Sequence, residues 1–382
     1  MKIAVISYHT CPYELFGSGF SGGMNVFLRE LLERLSLADI SVDVFTRSLD
    51  GHSVSAKNDR LKVYHIGCGL PADPALSDYL ENAGRFSEGV LRFLKEGTAL
   101  LFSHYWLSAP TALALKGRMG IRTVHMNHTL EKVKECYSGT VYSSGALRHA
   151  RLFWEFSVQK FADLLVFPSD RDLEVSVAHY PIVSGKGVVL YPGISEEFLD
   201  IPDLRSQGRR RLGFSEDFFL FLFSGRDERT KNLKGLLSAF EKLVYERARL
   251  IIVGSDRHYS GSNIACLEPQ SRESLLPLID ASDCVVIPSY YESFGFFGME
   301  ALARGKPVVA ARGTFLGDLV KRHDLGAVFD GKDAASLSGA LTSIIERRED
   351  FRGRSDEISM RARRFTWERA SSRFLRVLNQ FS

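Results

Sequence analysis

Two glutamates eight residues apart enclose the most chemically suggestive run of the chain, Glu292-Ser293-Phe294-Gly295-Phe296-Phe297-Gly298-Met299-Glu300. It follows the apolar stretch Cys284–Pro288 and precedes an alanine- and leucine-rich segment. The first carboxylate therefore falls on a loop and the second two turns further on, in a helix. Gly295 and Gly298 let backbone amides come close to a ligand. Carboxylates aimed at hydroxyls, beside amides aimed at phosphate, fit a nucleotide sugar; acidic helix capping is the plainer alternative. Upstream, Gly225-Arg226-Asp227-Glu228-Arg229-Thr230-Lys231-Asn232 follows the run Phe218–Ser224. Arg226 and Lys231 thus stand at the C-terminal end of a parallel strand, where open α/β sheets bind ligands. A guanidinium and an ammonium there can share the charge of a departing diphosphate, against the alternative of two exposed loop cations.

Gly17-Ser18-Gly19-Phe20-Ser21-Gly22 matches G-x-G-x-x-G letter for letter. A dinucleotide fingerprint, however, follows its strand at once and ends its second strand on an acidic residue. Here His9–Phe16 intervenes, Asp43 lies mid-strand and Arg47 sits near the end, which disfavours NAD(P). The better reading is a glycine-rich loop ending at Gly22-Gly23, where a helix opens with amides suited to a diphosphate. His125 and His128 fall on opposite faces at a strand end, which argues against joint metal ligation and leaves one to point into a cleft. Asp170-Arg171-Asp172 has the D-x-D spacing of metal-dependent nucleotide-sugar enzymes, but Ser169 or Asp170 before a helix reads as an N-cap. Arg209-Arg210-Arg211 reads as a solvated helix face rather than a phosphate or membrane contact.

Strands are expected at Ile3–Ser7, Ser41–Thr46, Ala99–His104, Thr123–Met126 and Leu164–Pro168, then at Phe218–Ser224, Arg249–Gly254, Cys284–Pro288 and Pro307–Ala311. Amphipathic helices such as Gly23–Leu35 and Leu233–Tyr245 separate them. Nearly continuous apolar strands alternating with helices mean parallel sheets covered on both faces, and the pattern occurs twice. Two doubly wound α/β domains are predicted. Their division falls near Val188–Ile194, where a strand runs into Pro192-Gly193, giving domains 1–190 and 191–364. A closing helix over 365–382, with Thr366 as N-cap, is expected to cross back to the first domain.

With 49 basic and 46 acidic side chains among 382 residues, the net charge is +3, so no charge field favours nucleic acid. Hydrophobic residues at 45% suffice for a large core. No apolar run approaches the ~18 residues of a membrane span, and Met1–Ser7 reads as a strand rather than a signal peptide. The cysteines (Cys11, Cys68, Cys136, Cys266, Cys284) are scattered without a C-x-x-C pair, which excludes a disulfide framework and points to a reducing, cytoplasmic compartment.

Together these segments resemble the retaining GT-B glycosyltransferases of family 4, over nearly the whole chain. The resemblance is carried by the Gly22-Gly23 loop, the histidine strand, Arg226 with Lys231, Glu292 to Glu300, Gly305-Lys306-Pro307-Val308-Val309, and the closing Phe365-Thr366-Trp367-Glu368. Ser103-His104-Tyr105-Trp106-Leu107-Ser108 and His128-Thr129-Leu130-Glu131-Lys132-Val133-Lys134 are similar to the branch holding sucrose-phosphate synthases and the enzyme joining N-acetylglucosamine to inositol phosphate. The resemblance implies a GT-B fold, two Rossmann-like domains facing across a cleft that closes to exclude water. It also implies transfer of a hexose from a nucleoside-diphosphate sugar to a hydroxyl acceptor, with retention. That acceptor would be a small molecule, a glycan or a lipid head group; no metal or cofactor is needed, and a peripheral membrane contact is allowed. Gly22, Gly23, Gly295 and Phe296 would serve the donor's phosphates, Glu300 its ribose and Glu292 its sugar. Arg226 and Lys231 would neutralise the leaving diphosphate, and His128 would contact the sugar near the reacting carbon. Tyr105, Thr129 and Arg151 match positions that hold an acceptor phosphate in the inositol-phosphate branch. The lysine joining them there has no counterpart between Lys62 and Lys95, and Thr314-Phe315 replaces a Gly-Gly pair. A GT-B sugar-nucleotide epimerase and a non-catalytic nucleotide-binding module are the alternative readings.

Overall fold

The β-branched and aromatic runs form strands and the amphipathic stretches between them form helices, twice over, in a computed structural model that describes residues 1–14, 22–143, 145–199, 201–255, 259 and 261–381. Two compact units result: Met1–Glu135, Thr140–Pro192 and Trp367–Ser382 make the first, Cys136–Gly139 and Gly193–Thr366 the second.

The first unit contains β1 (Lys2–Ser7), α1 (Gly23–Leu37), β2 (Ser41–Ser48), β3 (Ser53–Asn58), β4 (Leu61–Gly67), α2 (Leu76–Phe93), β5 (Leu100–His104), α3 (Ala109–Met119), β6 (Arg122–Met126), α4 (Glu131–Ser138), α5 (Gly145–Phe161), β7 (Leu164–Phe167), α6 (Asp170–His179) and β8 (Gly187–Val189). Its strands lie in the order β3-β4-β2-β1-β5-β6-β7-β8, parallel except for β3 against β4. The order reverses between β1 and β5, and such a switch point opens a crevice beyond the strands' carboxyl ends. The hairpin strand β3 escapes sequence reading because Ser53–Asn58 is polar and largely exposed; only pairing with β4 defines it.

The second unit contains α7 (Arg205–Leu212), β9 (Phe219–Ser224), α8 (Leu233–Glu241), β10 (Ala248–Val253), β11 (Ile264–Leu267), α9 (Arg272–Ala281), β12 (Cys284–Ile287), α10 (Phe296–Ala303), β13 (Val308–Ala311), α11 (Phe315–His323), β14 (Gly326–Phe329), α12 (Ala334–Glu346), α13 (Arg348–Gly353) and α14 (Ser355–Ala362). Its wholly parallel sheet runs β11-β10-β9-β12-β13-β14, with the switch point between β9 and β12. The last helix, α15 (Trp367–Phe381), belongs to the first unit. There Trp367 packs on Phe27 and Phe374 on Phe102, while Ala370 and Leu378 are also buried, the repeat of one apolar helix face.

One expectation is corrected. Of the arginine triplet on α7, Arg209 is buried, donating to Asp283 Oδ2 at 2.7 Å, while Arg210 and Arg211 are exposed. Asp283 collects Arg205, Arg209, Arg348 and Arg352, and its carboxyl stays below the ordinary aspartate range because these cations outweigh burial. Arg209 therefore pins α7 to the start of β12, while Arg210 and Arg211 face water.

Candidate functional site

Fold topology brings the chemically suggestive loops of the second unit to one place. The β9 loop carrying Arg226 and Lys231 and the β12 loop carrying Glu292 leave the two strands that flank the switch point. Tyr290 N donates to Thr230 O at 3.0 Å and stitches the loops together. Lys231 Nζ donates to Glu292 Oε1 at 2.6 Å, and Ser289 Oγ donates to the same oxygen at 2.8 Å. Arg226 is half-exposed and pairs with Glu228 at 2.7 Å.

Gly295 precedes α10 with φ +81°, a left-handed conformation that favours glycine, and a Cβ there would sit 3.0 Å from Leu316 Cδ2. The turn aims the first amides of α10, including that of Phe296, away from any intrahelical acceptor. Glu300, one helix turn deeper, is buried, and its Oε1 accepts from Arg272 Nη2 at 2.6 Å. Arg272 also holds Glu197 and Ser195 and stays charged: burial works against it, but Glu300 and Glu197 prevail. Sequence reasoning missed Arg272; its signal was only an arginine at the start of a helix 28 residues before Glu300.

In the first unit the residues of interest gather at and beyond the carboxyl ends of β5 and β6. His125, inside β6, is buried between Ser103 Oγ (2.7 Å) and Asn127 Oδ1 (3.2 Å). His128 lies beyond the strand end with φ +58°, so the expected pairing of opposite strand faces is replaced by a turn. Its Nε2 meets Nδ1 of His104 at 3.0 Å. Burial, then His128 and His125, push His104 far below the usual imidazole range; burial, then His125, holds His128 down to about 3. Both rings are neutral at physiological pH. Because His104 Nε2 is buried with no hydrogen-bond partner among the described residues, a proton there would be left unsatisfied, so Nδ1 carries it and donates to His128. His128 then bears its own proton on Nδ1. His104, which periodicity alone could not mark, fixes the tautomer of His128. Tyr105, next to it, holds φ +65° and ψ 151°, a costly conformation for an aromatic residue.

Thr129 and Arg151 join this corner: Arg151 Nη2 lies 3.4 Å from Thr129 Oγ1, and the guanidinium sits 5.8 Å from the Tyr105 ring. Gly22 heads α1, but its amide donates to Asn25 Oδ1 at 3.2 Å, so of the expected glycine pair it is already engaged; Gly23 is the first helical residue. The rest of the G-x-G-x-x-G match, 17–21, lies outside the described residues. Ser169 caps α6 by accepting from Asp172 N at 3.1 Å, which is the capping role expected around Asp170-Arg171-Asp172.

Two Rossmann-like units with basic and acidic loops at the switch point define a GT-B glycosyltransferase. Comparison with known proteins agrees. The model "Glycosyltransferase Family 4" matches residues 21–198 and "Glycosyl transferases group 1" matches 205–363. A D-inositol 3-phosphate glycosyltransferase of Corynebacterium urealyticum is 31% identical, across 99% of this chain and 95% of its own. The sucrose-phosphate synthase of Thermosynechococcus elongatus superposes with TM-score 0.86 at 24% identity, covering 100% of this chain and 98% of its own. A structure described as "Trehalose-6-phosphate from E. coli bound with UDP-2-fluoro glucose" gives TM-score 0.71 at 12% identity, covering 100% and 99%. The chain belongs to glycosyltransferase family 4.

Proposed function

We propose that this glycosyltransferase moves a hexosyl unit from a nucleoside-diphosphate sugar to a hydroxyl acceptor, with retention of configuration and without a metal ion. The observation that carries the reading is the Lys231–Glu292 pair at the switch point of the second unit, beside the amides that open α10. Amides of Gly295 and Phe296 take the phosphates, Glu300 the ribose hydroxyls and Glu292 the sugar. The bond from the anomeric carbon to the diphosphate breaks as a bond to the acceptor oxygen forms on the same face. The acceptor's proton passes to the departing diphosphate oxygen, whose charge Lys231 and Arg226 balance in place of a divalent metal. Neutral His128, with its proton on Nδ1, serves the sugar near the reacting carbon, while Tyr105, Thr129 and Arg151 of the first unit line the acceptor side. The E. coli neighbour's sugar-nucleotide ligand supports this donor class.

The test is a thermal-shift panel of nucleoside diphosphates and their sugars in EDTA, because a specific ligand raises the melting temperature by mass action. The stabilising donor is then incubated with and without acceptors, and the anomeric coupling of the product is read by NMR. A retained glycoside formed in EDTA is expected. Inverted product, or strict metal dependence, would overturn the corresponding part. Free epimerised sugar from donor alone would favour the epimerase reading, and tight nucleotide binding without turnover a sensing module.

A further inference from the structure

Arg151 is buried, and every nitrogen of its guanidinium is engaged. Nε donates to Glu155 Oε1 at 2.7 Å, Nη1 stands 2.9 Å from Glu131 Oε2 as an ion pair without hydrogen-bond geometry, and Nη2 reaches Thr129 Oγ1 at 3.4 Å. Both glutamate side chains are fully buried. Glu131 is locked by Ser143 N, which donates to its Oε1 at 2.7 Å, and Glu155 by Tyr180 Oη, which donates to its Oε2 at 2.7 Å.

A protein recognises a phosphate ester chiefly with a guanidinium fork or with the amides at a helix N-terminus. Here the chain's own carboxylates stand at both. The fork is held by Glu131 and Glu155, and the amide that opens α4, Glu131 N, donates to Glu155 at 3.0 and 3.2 Å. One cation against two carboxylates sums to −1. Burial pushes the Glu155 carboxyl upward, and with Glu155 protonated the sum is zero. In neither state do these three groups together carry net positive charge. Of the neighbouring cations, Arg148 is paired, forking onto Glu135 at 2.8 and 2.9 Å, while Lys132 lies over the ring of Tyr180, which itself donates to Glu155. What this corner offers a ligand is hydroxyl chemistry, from half-buried Thr129 and Tyr105.

We propose that Glu131, by occupying the Arg151 guanidinium together with Glu155, makes this a site for an uncharged polyol acceptor (a free sugar or cyclitol without a phosphate). The proposal rests on the acceptor side lying at Tyr105, Thr129 and Arg151, and it parts from the relatives named for inositol 3-phosphate. Glu131 is thus a specificity-determining positioning residue.

The test pairs free sugars and cyclitols with their own monophosphates, using the full chain. Binding is read by titration calorimetry, with inorganic phosphate as a further probe, and transfer by mass spectrometry with the donor found above. The free member of a pair is expected to bind and to be glycosylated, with kcat/KM about tenfold or more above its phosphate. Inorganic phosphate is expected not to bind saturably. Glu131→Gln keeps the shape and removes the charge, so it should raise the phosphate-to-free ratio about tenfold. Tighter binding of the phosphates by the wild type overturns the proposal, as does binding of neither member, or a ratio unmoved in a folded Glu131→Gln. If that variant does not fold, the wild-type ranking decides. Preferential binding of free polyols with no transfer from any donor would instead count against the transferase reading.

Discussion

Replacing Lys231 by methionine keeps the aliphatic stem that lies against Gly225 and removes the ammonium that sits 2.6 Å from Glu292. If that ammonium meets charge developing on a leaving diphosphate, its loss should lower kcat by about 100- to 1000-fold, or about 2.7–4 kcal/mol in the barrier. The fold should scarcely notice. The lysine side chain is 34% exposed and Glu292 keeps the Ser289 hydroxyl, so the ion pair contributes at most about 1 kcal/mol to stability after solvent screening. That corresponds to a melting shift of a few degrees at most, roughly 2–4 °C. The assay follows diphosphate release and glycoside formation at saturating donor, beside a thermal melt of the same preparation. The double variant Lys231→Met with Glu292→Gln should lose about as much as the worse single one, because the two act as a unit. A kcat within threefold of wild type would refute the role. So would a melting loss near ten degrees, which would make the pair structural, or losses that simply add.

Further outcomes are open to direct measurement. Arg272→Leu strands the buried Glu300 carboxylate and should cost about 3–5 kcal/mol in urea unfolding, with weaker nucleotide binding. Gly295→Ala meets both the positive φ and Leu316; it should destabilise by about 1–2 kcal/mol and misdirect the α10 amides, seen as a raised KM for donor. His104→Phe deprives His128 of its donor and should lower kcat about 10- to 100-fold while His104→Gln, which can still donate, recovers part of it. Unfolded imidazoles take up protons below about 6.5, whereas native His125 and His128 wait until about 3, so the unfolded chain holds more protons between those values. Stability is therefore fully present above about pH 6.5 and declines as the pH falls, and the urea midpoint should drop from pH 7.5 to 5.5, less so in His125→Asn.

Periodicity and composition alone determined much: two successive α/β domains, the strands that build both sheet cores, the loops holding Arg226, Lys231 and Glu292, and the helix holding Glu300. These are local facts, since apolar runs, glycines and caps act over a few residues. Partnership is different, because a side chain's neighbour across a sheet depends on strand order, which no local pattern encodes. Tertiary structure decided that Lys231 meets Glu292 across the switch point, that Arg272 rather than a ligand holds one side of Glu300, and that Arg209 is buried. It also decided that His104 sets the proton of His128, and that Arg151, which the family resemblance matches to an acceptor-phosphate position, lies between two carboxylates. Charge balance is a sum over neighbours in space, and folding chooses the neighbours.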